Sequence, residues 1–310
     1  MGERHAAGPV VVAGEALVDL VLGPDDALDA HPGGGPFNAA RAAARLGAPA
    51  AYLGRLSSDR FGRRLRSALL ADGVDLSTAV ATDDPTTLAL ADVGSDGAAR
   101  YGFYVDGTSA AGLTPAEAAS VLPDRVAALC VGTLGLVLQP VADTLEGLVA
   151  GAADDTLVLL DPNCRPSAIP DEPAYRARLE RVLRRADVVK ASDDDLAWLR
   201  PGLSPADAMR DLLAARAGAV GLVTLGGDGA LVVADGETLA VDAPQVEVVD
   251  TIGAGDAFLG GFVAWWHERG LGRNDLGRTA LVVQAATFAC LVAARTCARP
   301  GADPPRRGEL

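Results

Sequence analysis

Asp256 follows three small residues, Gly253, Ala254 and Gly255, in the stretch DTIGAGDAFLGGF (250–262). Beyond it Phe258, Phe262, Trp265 and Trp266 fall at i, i+4, i+7 and i+8, the spacing of an amphipathic helix. The glycines therefore place a helix N-terminus at 254–256. Open backbone amides and the helix dipole at such an end make an anion site. A phosphoryl group in transfer carries charge on its outer oxygens, which such donors stabilise. A carboxylate in the first turn can take a proton from a hydroxyl beside that site. A plain turn followed by a first-turn helix acid would use the same residues, so helix chemistry alone leaves both readings open. The stretch is no dinucleotide fingerprint, because Phe258 holds the third glycine position.

A second candidate is PGGGPFNAARAAARLG (32–47). Gly33 and Gly34 let backbone approach a ligand, and Asn38 offers a donor and an acceptor to hydroxyls. A Gly-Pro turn capped by Asn explains this stretch about as well. Lysine occurs once, at Lys190, between Val189 and Ala191. That excludes a Walker A loop, and neither the strand lysine nor the His-Arg-Asp loop of protein kinases is present. A net charge of −14 argues against a nucleic-acid surface and favours solubility. Cys130, Cys164, Cys290 and Cys297 form no CxxC pair, which fits a reducing cytoplasm. His5, His31 and His267 are scattered, against a His/Cys zinc site.

The elements that must position these residues alternate. Strands are expected over 9–20, 50–56, 127–134, 155–163, 186–192 and 219–227, and helices over 38–47 and 59–73. Apolar strands alternating with helices imply an α/β domain with a mostly parallel sheet and ligands at the strands' C-terminal ends. Residues 84–109 break the rhythm: TTLALADV and ARYGFYV flank a Ser-Asp-Gly turn, a β-hairpin. With the non-helical 20–32 they suggest a β lid. The start of the chain reads as a first strand, not a signal peptide. Apolar runs are broken by charge or glycine before membrane-spanning length, so no membrane partner is expected.

DTIGAGD matches every fixed position of the signature of the ribokinase-like (PfkB) sugar kinase family, and PGGGPFN resembles its N-terminal signature in the fructokinase-type form. AGEALVDL, GRLSSDRFG (54–62), DPNCRP (161–166), VKASDDDL (189–196), VTLGGDGAL (223–231) and RTCARPGADPP (295–305) extend the likeness along nearly the whole chain. The resemblance implies a three-layer α/β/α domain over 1–310 with a lid from about 20–32 and 84–109. It implies ATP-dependent phosphorylation of a small sugar, with Asp256 as general base and the amides of Gly253, Ala254 and Gly255 as anion hole. Asp19, Gly33, Gly34 and Asn38 would grip the sugar, and Arg165 a phosphate or a substrate acid. Thr224, Gly226 and Gly229 would line ATP. Ser192 and Asp195 stand where the family has Asn and Glu near magnesium and phosphate. A shorter carboxylate can act through water, and an exposed acidic helix start is the competing reading of 193–195. Asp250 would hold a potassium ion, and GRLSSDRFG reads as structural. Val105 stands where fructokinase-like relatives often carry a lid arginine. Fructose is the leading substrate, then 2-keto-3-deoxygluconate, then ribose or a nucleoside. A silent sugar- or nucleotide-binding regulator and a nicotinamide dehydrogenase are the readings from other classes. The intact Asp256 run and the missing fingerprint glycine argue against them. A homodimer through the lid is expected.

Overall fold

The computed structural model describes residues 8–23, 27–93 and 99–310. The chain opens with β1 (Val10–Ala13), β2 (Leu17–Leu22), β3 (Leu28–Gly33), α1 (Gly35–Arg45), β4 (Ala50–Leu53) and β5 (Arg55–Ser57). Next come α2 (Arg60–Ala71), β6 (Val80–Thr82), β7 (Leu88–Val93), β8 (Ala99–Tyr104), α3 (Pro115–Val121) and β9 (Ala128–Gly132). Then follow α4 (Val141–Ala150), β10 (Leu157–Asp161), α5 (Glu172–Leu183), β11 (Val188–Ser192), α6 (Asp193–Leu199) and α7 (Pro205–Leu213). The last elements are β12 (Val220–Thr224), β13 (Ala230–Ala234), β14 (Glu237–Val241), α8 (Ala254–Glu268) and α9 (Thr279–Cys297).

Eight strands form the main sheet in the order β14-β13-β12-β11-β10-β9-β1-β4. The run from β12 to β4 is parallel, and β13 and β14 extend it antiparallel. Alternate side chains feed two apolar layers. Val10, Val12, Leu157 and Leu222 pack with α1, α8 and α9 on one face. Val11, Ala13, Val158 and Leu160 pack with α4, α5 and α7 on the other. This is the expected three-layer architecture, with strands buried on both faces as a parallel sheet requires.

The expected strand 9–20 is two strands, with a break at 14–16. Gly14 has φ 145°, and a Cβ there would fall 2.6 Å from Pro36 Cγ. The chain turns out of the main sheet at that point. The expected strand 50–56 also breaks, at Gly54, where a Cβ would lie 2.5 Å from the Gly14 carbonyl oxygen. Tyr52 Oη donates to the same carbonyl at 2.8 Å.

Beyond the break β2 enters a second sheet, β3-β2-β7-β8. The antiparallel pair β7–β8 is the expected hairpin; its Ser-Asp-Gly turn lies outside the described residues. The register puts Asp19, His31, Ala89 and Phe103 on one face of this lid. Leu20, Ala30 and Leu90 share the other face, as do Val18, Leu88 and Tyr104. The segment 54–62 is structural, as expected: Asp59 caps α2 by accepting from the Gly62 amide at 2.7 Å and ties down Thr86.

α8 carries the residues of greatest chemical interest, and glycines let it pack closely. A Cβ on Gly260 would meet Ala42 Cβ at 2.6 Å, and one on Gly261 would meet Val292 at 3.1 Å. The partner of α8 on its outer side is α9. By length and composition α9 could cross a membrane, and Arg295 does not shorten it below that length. Its Val282, Ala285, Ala286, Ala289 and Cys290 are buried in the same apolar layer as α8.

Candidate active site

The C-terminal ends of β1, β9, β10 and β11 converge on the N-terminus of α8. Gly253 caps that helix in the left-handed region, φ 75°, and a Cβ there would strike Ala302 at 2.6 Å. The Ala254 amide donates weakly to the Thr251 carbonyl at 3.3 Å, and the Ala257 amide donates to the Gly253 carbonyl at 2.8 Å. Among the described residues the amides of Gly253, Gly255 and Asp256 find no acceptor. The expected anion hole of 253–255 is therefore open at its two glycines and extends to Asp256, while Ala254 is partly engaged.

The Asp256 carboxylate accepts from Asn38 Nδ2 at 2.9 Å. Burial raises its pKa; the Asn38 hydrogen bond and the charges of Lys190 and Arg165 oppose that rise. Asn38 is buried, and its Oδ1 has no partner among the described residues. One end of this amide orients the candidate base, and the other remains an unspent acceptor. A Cβ on Gly35 would lie 3.3 Å from Asp256 Oδ1, 3.3 Å from Asn163 Nδ2 and 2.7 Å from Thr133 Cγ2. Gly35 is thus the bare floor between two polar groups and a threonine methyl.

Asp19 lies across this space on the lid. A Cβ on Gly33 would come within 2.0 Å of Asp19 Oδ2, so that glycine makes room for the carboxylate. Burial lifts Asp19 to about 6, helped by the charge of Asp256 and opposed by His31 and Arg165. Gly34, at φ 108°, would clash with the Glu15 carbonyl if it carried a Cβ, at 2.7 Å. Arg165 is exposed, bonds only carbonyls of its own loop, and forms no ion pair among the described residues.

Ser192 and Thr224 are register partners at the ends of β11 and β12. Gly226 (φ 57°) has open space around it, whereas a Cβ on Gly229 would be 2.1 Å from the Val241 carbonyl oxygen. Of the two glycines only Gly226 borders free volume. Asp195 is buried, unlike exposed Asp193 and Asp194. Its Oδ1 accepts from the Cys164 amide at 2.6 Å, and its Oδ2 from the Ser192 amide and hydroxyl at 2.9 and 2.7 Å. It locks the Asp161–Arg165 loop onto α6. Asp250 accepts from the Ile252 and Gly301 amides at 3.0 and 2.8 Å. Among the described residues no three His, Cys, Asp or Glu side chains gather as a metal site.

The sequence reading missed five participants. Glu15 is buried, accepts from the Thr133 hydroxyl, and accepts from the Gly135 amide at 3.1 Å. Thr133 and Asn163 both border Gly35 and both have positive φ, 50° and 37°. Lys190 and Asp161 form a buried pair at 2.8 Å. Signals existed: a glutamate inside VVVAGEALV and the only lysine inside ADVVKAS each interrupt an apolar strand.

The pfkB family carbohydrate kinase model matches residues 9–307, and the chain belongs to that family. It is 35% identical over 264 residues to a fructokinase of Rhizobium leguminosarum bv. trifolii, covering 82% of this chain and 78% of that one. A fructokinase structure from Vibrio cholerae O395, with fructose, ADP and calcium bound, superposes with a TM-score of 0.82 at 27% identity. It covers 95% of this chain and 94% of that one. Aminoimidazole riboside kinase from Salmonella enterica, complexed with aminoimidazole riboside and an ATP analogue, gives 0.81 at 28% identity, covering 95% of each chain.

Burial pushes Glu15 from its ordinary 4.5 to about 7. The folded state holds that proton more tightly than the unfolded chain, so its contribution to stability is full below pH 4.5 and is lost as pH rises through 7. The displacement is worth roughly 3 kcal/mol at about 1.4 kcal/mol per pH unit. Urea unfolding of wild type and Glu15→Gln between pH 4.5 and 8 should show the difference moving by about that amount in favour of the variant. Parallel curves would mean that Glu15 does not carry the cost.

Proposed function

We propose that this pfkB-family chain transfers the terminal phosphoryl group of ATP to a hydroxyl of fructose. The observation that carries the reading is the half-buried Asp256 carboxylate. It is oriented by Asn38 and set between the Asp19–Gly33 pocket and the open amides at the start of α8. The sugar lies against Asp19, Gly33, Gly34 and Asn38, whose unpaired Oδ1 is a ready acceptor for a hydroxyl. The hydroxyl proton passes to Asp256 as the sugar oxygen bonds to phosphorus, and ADP leaves with the electrons of the broken P–O bond. The amides of 253–256 hold the equatorial oxygens. The lid covers the pocket and excludes water, a competing acceptor.

ATP lies along Ser192, Thr224 and Gly226, with Gly229 shaping the turn. Magnesium neutralises phosphate charge when bound. With its oxygens already accepting amide and hydroxyl bonds, Asp195 would hold such an ion through water rather than directly. Asp250, at the 297–301 loop, is the side chain offered to a potassium ion. We read 1–310 as one kinase domain of the cytoplasm, in keeping with four free cysteines.

Fructose is favoured by the fructokinase relatives and by Val105, an apolar residue after Phe103 and Tyr104. The unpaired Arg165 and the likeness to the riboside kinase keep a sugar acid and a nucleoside as rivals. A coupled ADP-release assay across fructose, ribose, 2-keto-3-deoxygluconate and ribosides should give the highest kcat/KM with fructose. Much better use of 2-keto-3-deoxygluconate would overturn this and make Arg165 the carboxylate partner. Absence of turnover with every sugar would return the chain to a binding role.

The lid also serves as a dimer surface. Its face away from Asp19 carries Leu20 and Leu88, which pack against the main apolar layer, and half-buried Leu90, with Leu28 and Tyr104 56% and 59% exposed at its margins. The exposed apolar margin offers a surface to a partner, and a symmetric homodimer supplies one. Light scattering at micromolar concentration should give twice the chain mass, falling to one chain in Leu90→Asp. A monomeric native mass, or an unchanged dimer in both Leu88→Asp and Leu90→Asp, would remove the lid from the interface.

A further inference from the structure

Lys190 is the only lysine of the chain, and it is 3% exposed. It rises from β11 under the first turn of α8. A Cβ on Gly255 would lie 2.9 Å from its Nζ, so the absence of a side chain at 255 admits the ammonium. Asp161 Oδ2 fixes it at 2.8 Å, and Asp161 Oδ1 is buried without a partner. Asp161 and Asp256 line one narrow cavity with Thr133, Gly132 and Cys130. A buried ion pair adds little to stability compared with apolar residues of the same volume, so its place beneath the reacting groups calls for another account. A compact ammonium suits a space that a planar guanidinium would not fit.

We propose that Lys190 is a positioning residue for phosphoryl transfer: pinned by Asp161 beneath Gly255, its ammonium keeps the Asp256 carboxylate charged and seats the first turn of α8. Asp256 is faced by Asn38 from α1, Lys190 from β11, Asp161 from β10, Arg165 from the loop after β10, Asp19 from β2 and Glu15 from the β1 end. Three of these six are anionic partners that discourage ionisation. Arg165 is exposed to solvent, which screens its charge. Lys190 is the buried cation of the set. Burial alone would lower its own pKa; the charge and hydrogen bond of Asp161, with the charges of Asp195 and Asp256, outweigh that and raise it.

The inference rests on Asp256 as the general base of the proposed reaction. Two variants separate charge from structure. In Lys190→Met the acidic limb of kcat/KM against pH should move up by about one pH unit, the low end for losing a close opposite charge. In Asp161→Asn the ammonium stays and an anion goes, so the limb should stay or move down. A purely structural pair would harm both variants alike. An unmoved limb in Lys190→Met, or the same upward move in both, overturns the proposal. A second measurement needs neither folding of Lys190→Met nor turnover. Protein labelled with 15Nζ-lysine gives one side-chain ammonium resonance. Its shift should follow pH with an inflection that disappears in Asp256→Asn. A flat resonance, or an inflection unchanged in Asp256→Asn, would disconnect Lys190 from Asp256 whatever the substrate proves to be.

Discussion

Burying a carboxylate without neutralising it is the constraint around which this site is arranged. Isolated ionised groups in a protein interior cost several kcal/mol, yet buried Glu15 and Asp161 and half-buried Asp19 and Asp256 gather around one site. Each is given a different answer. Glu15 takes a hydroxyl and an amide and still sits near neutrality, at about 7. Asp161 takes the single lysine. Asp256 takes an amide hydrogen bond from Asn38 and lies in the first turn of a helix, where the dipole favours negative charge. Asp19 sits on the lid at about 6. Asp256, with a hydrogen bond that orients it and its other oxygen toward the Gly35 floor, is the carboxylate proposed to accept a proton.

That arrangement depends on backbone brought unusually close. Gly14, Gly34, Gly54 and Gly132 each stand where a Cβ would meet a carbonyl oxygen or a proline ring. The crowding at Gly14 and Gly54 ends two strands at one level and diverts the chain into the lid. The second sheet therefore leaves the main sheet beside the strand ends that face Asp256. Gly260 and Gly261 bring α8 against α1 and α9, which fixes the helix whose first turn must not move. Asp195 ties the Asp161–Arg165 loop to α6 over 31 residues of chain, and so indirectly sets the position of Asp161 and its lysine.

The order of strands and helices was readable because buried parallel strands are short apolar runs and the helices between them are amphipathic. Asp256, Gly253 and Gly255 were readable because a helix start and its open amides are local in sequence. The Ser192–Asp195 capping box is equally local, and an exposed acidic helix start describes Asp193 and Asp194 but not buried Asp195. What escaped is non-local. Asn38 meets Asp256 across 218 residues, Glu15 meets Thr133 across 118, and Lys190 meets Asp161 across 29. A strand period says which residues are buried, not which buried charges meet. The breaks at Gly14 and Gly54 escaped for the same reason, since each depends on the other strand.

The central claim is that Asp256 takes the proton of the acceptor hydroxyl. Asp256→Asn keeps the shape and the hydrogen-bonding volume and removes the base. Turnover with fructose and ATP, measured beside calorimetric binding of each, tests it most directly. Turnover should fall by at least ~10²-fold, the low end for loss of a general base, while both ligands bind about as well as before. Near-normal turnover in Asp256→Asn would contradict the account.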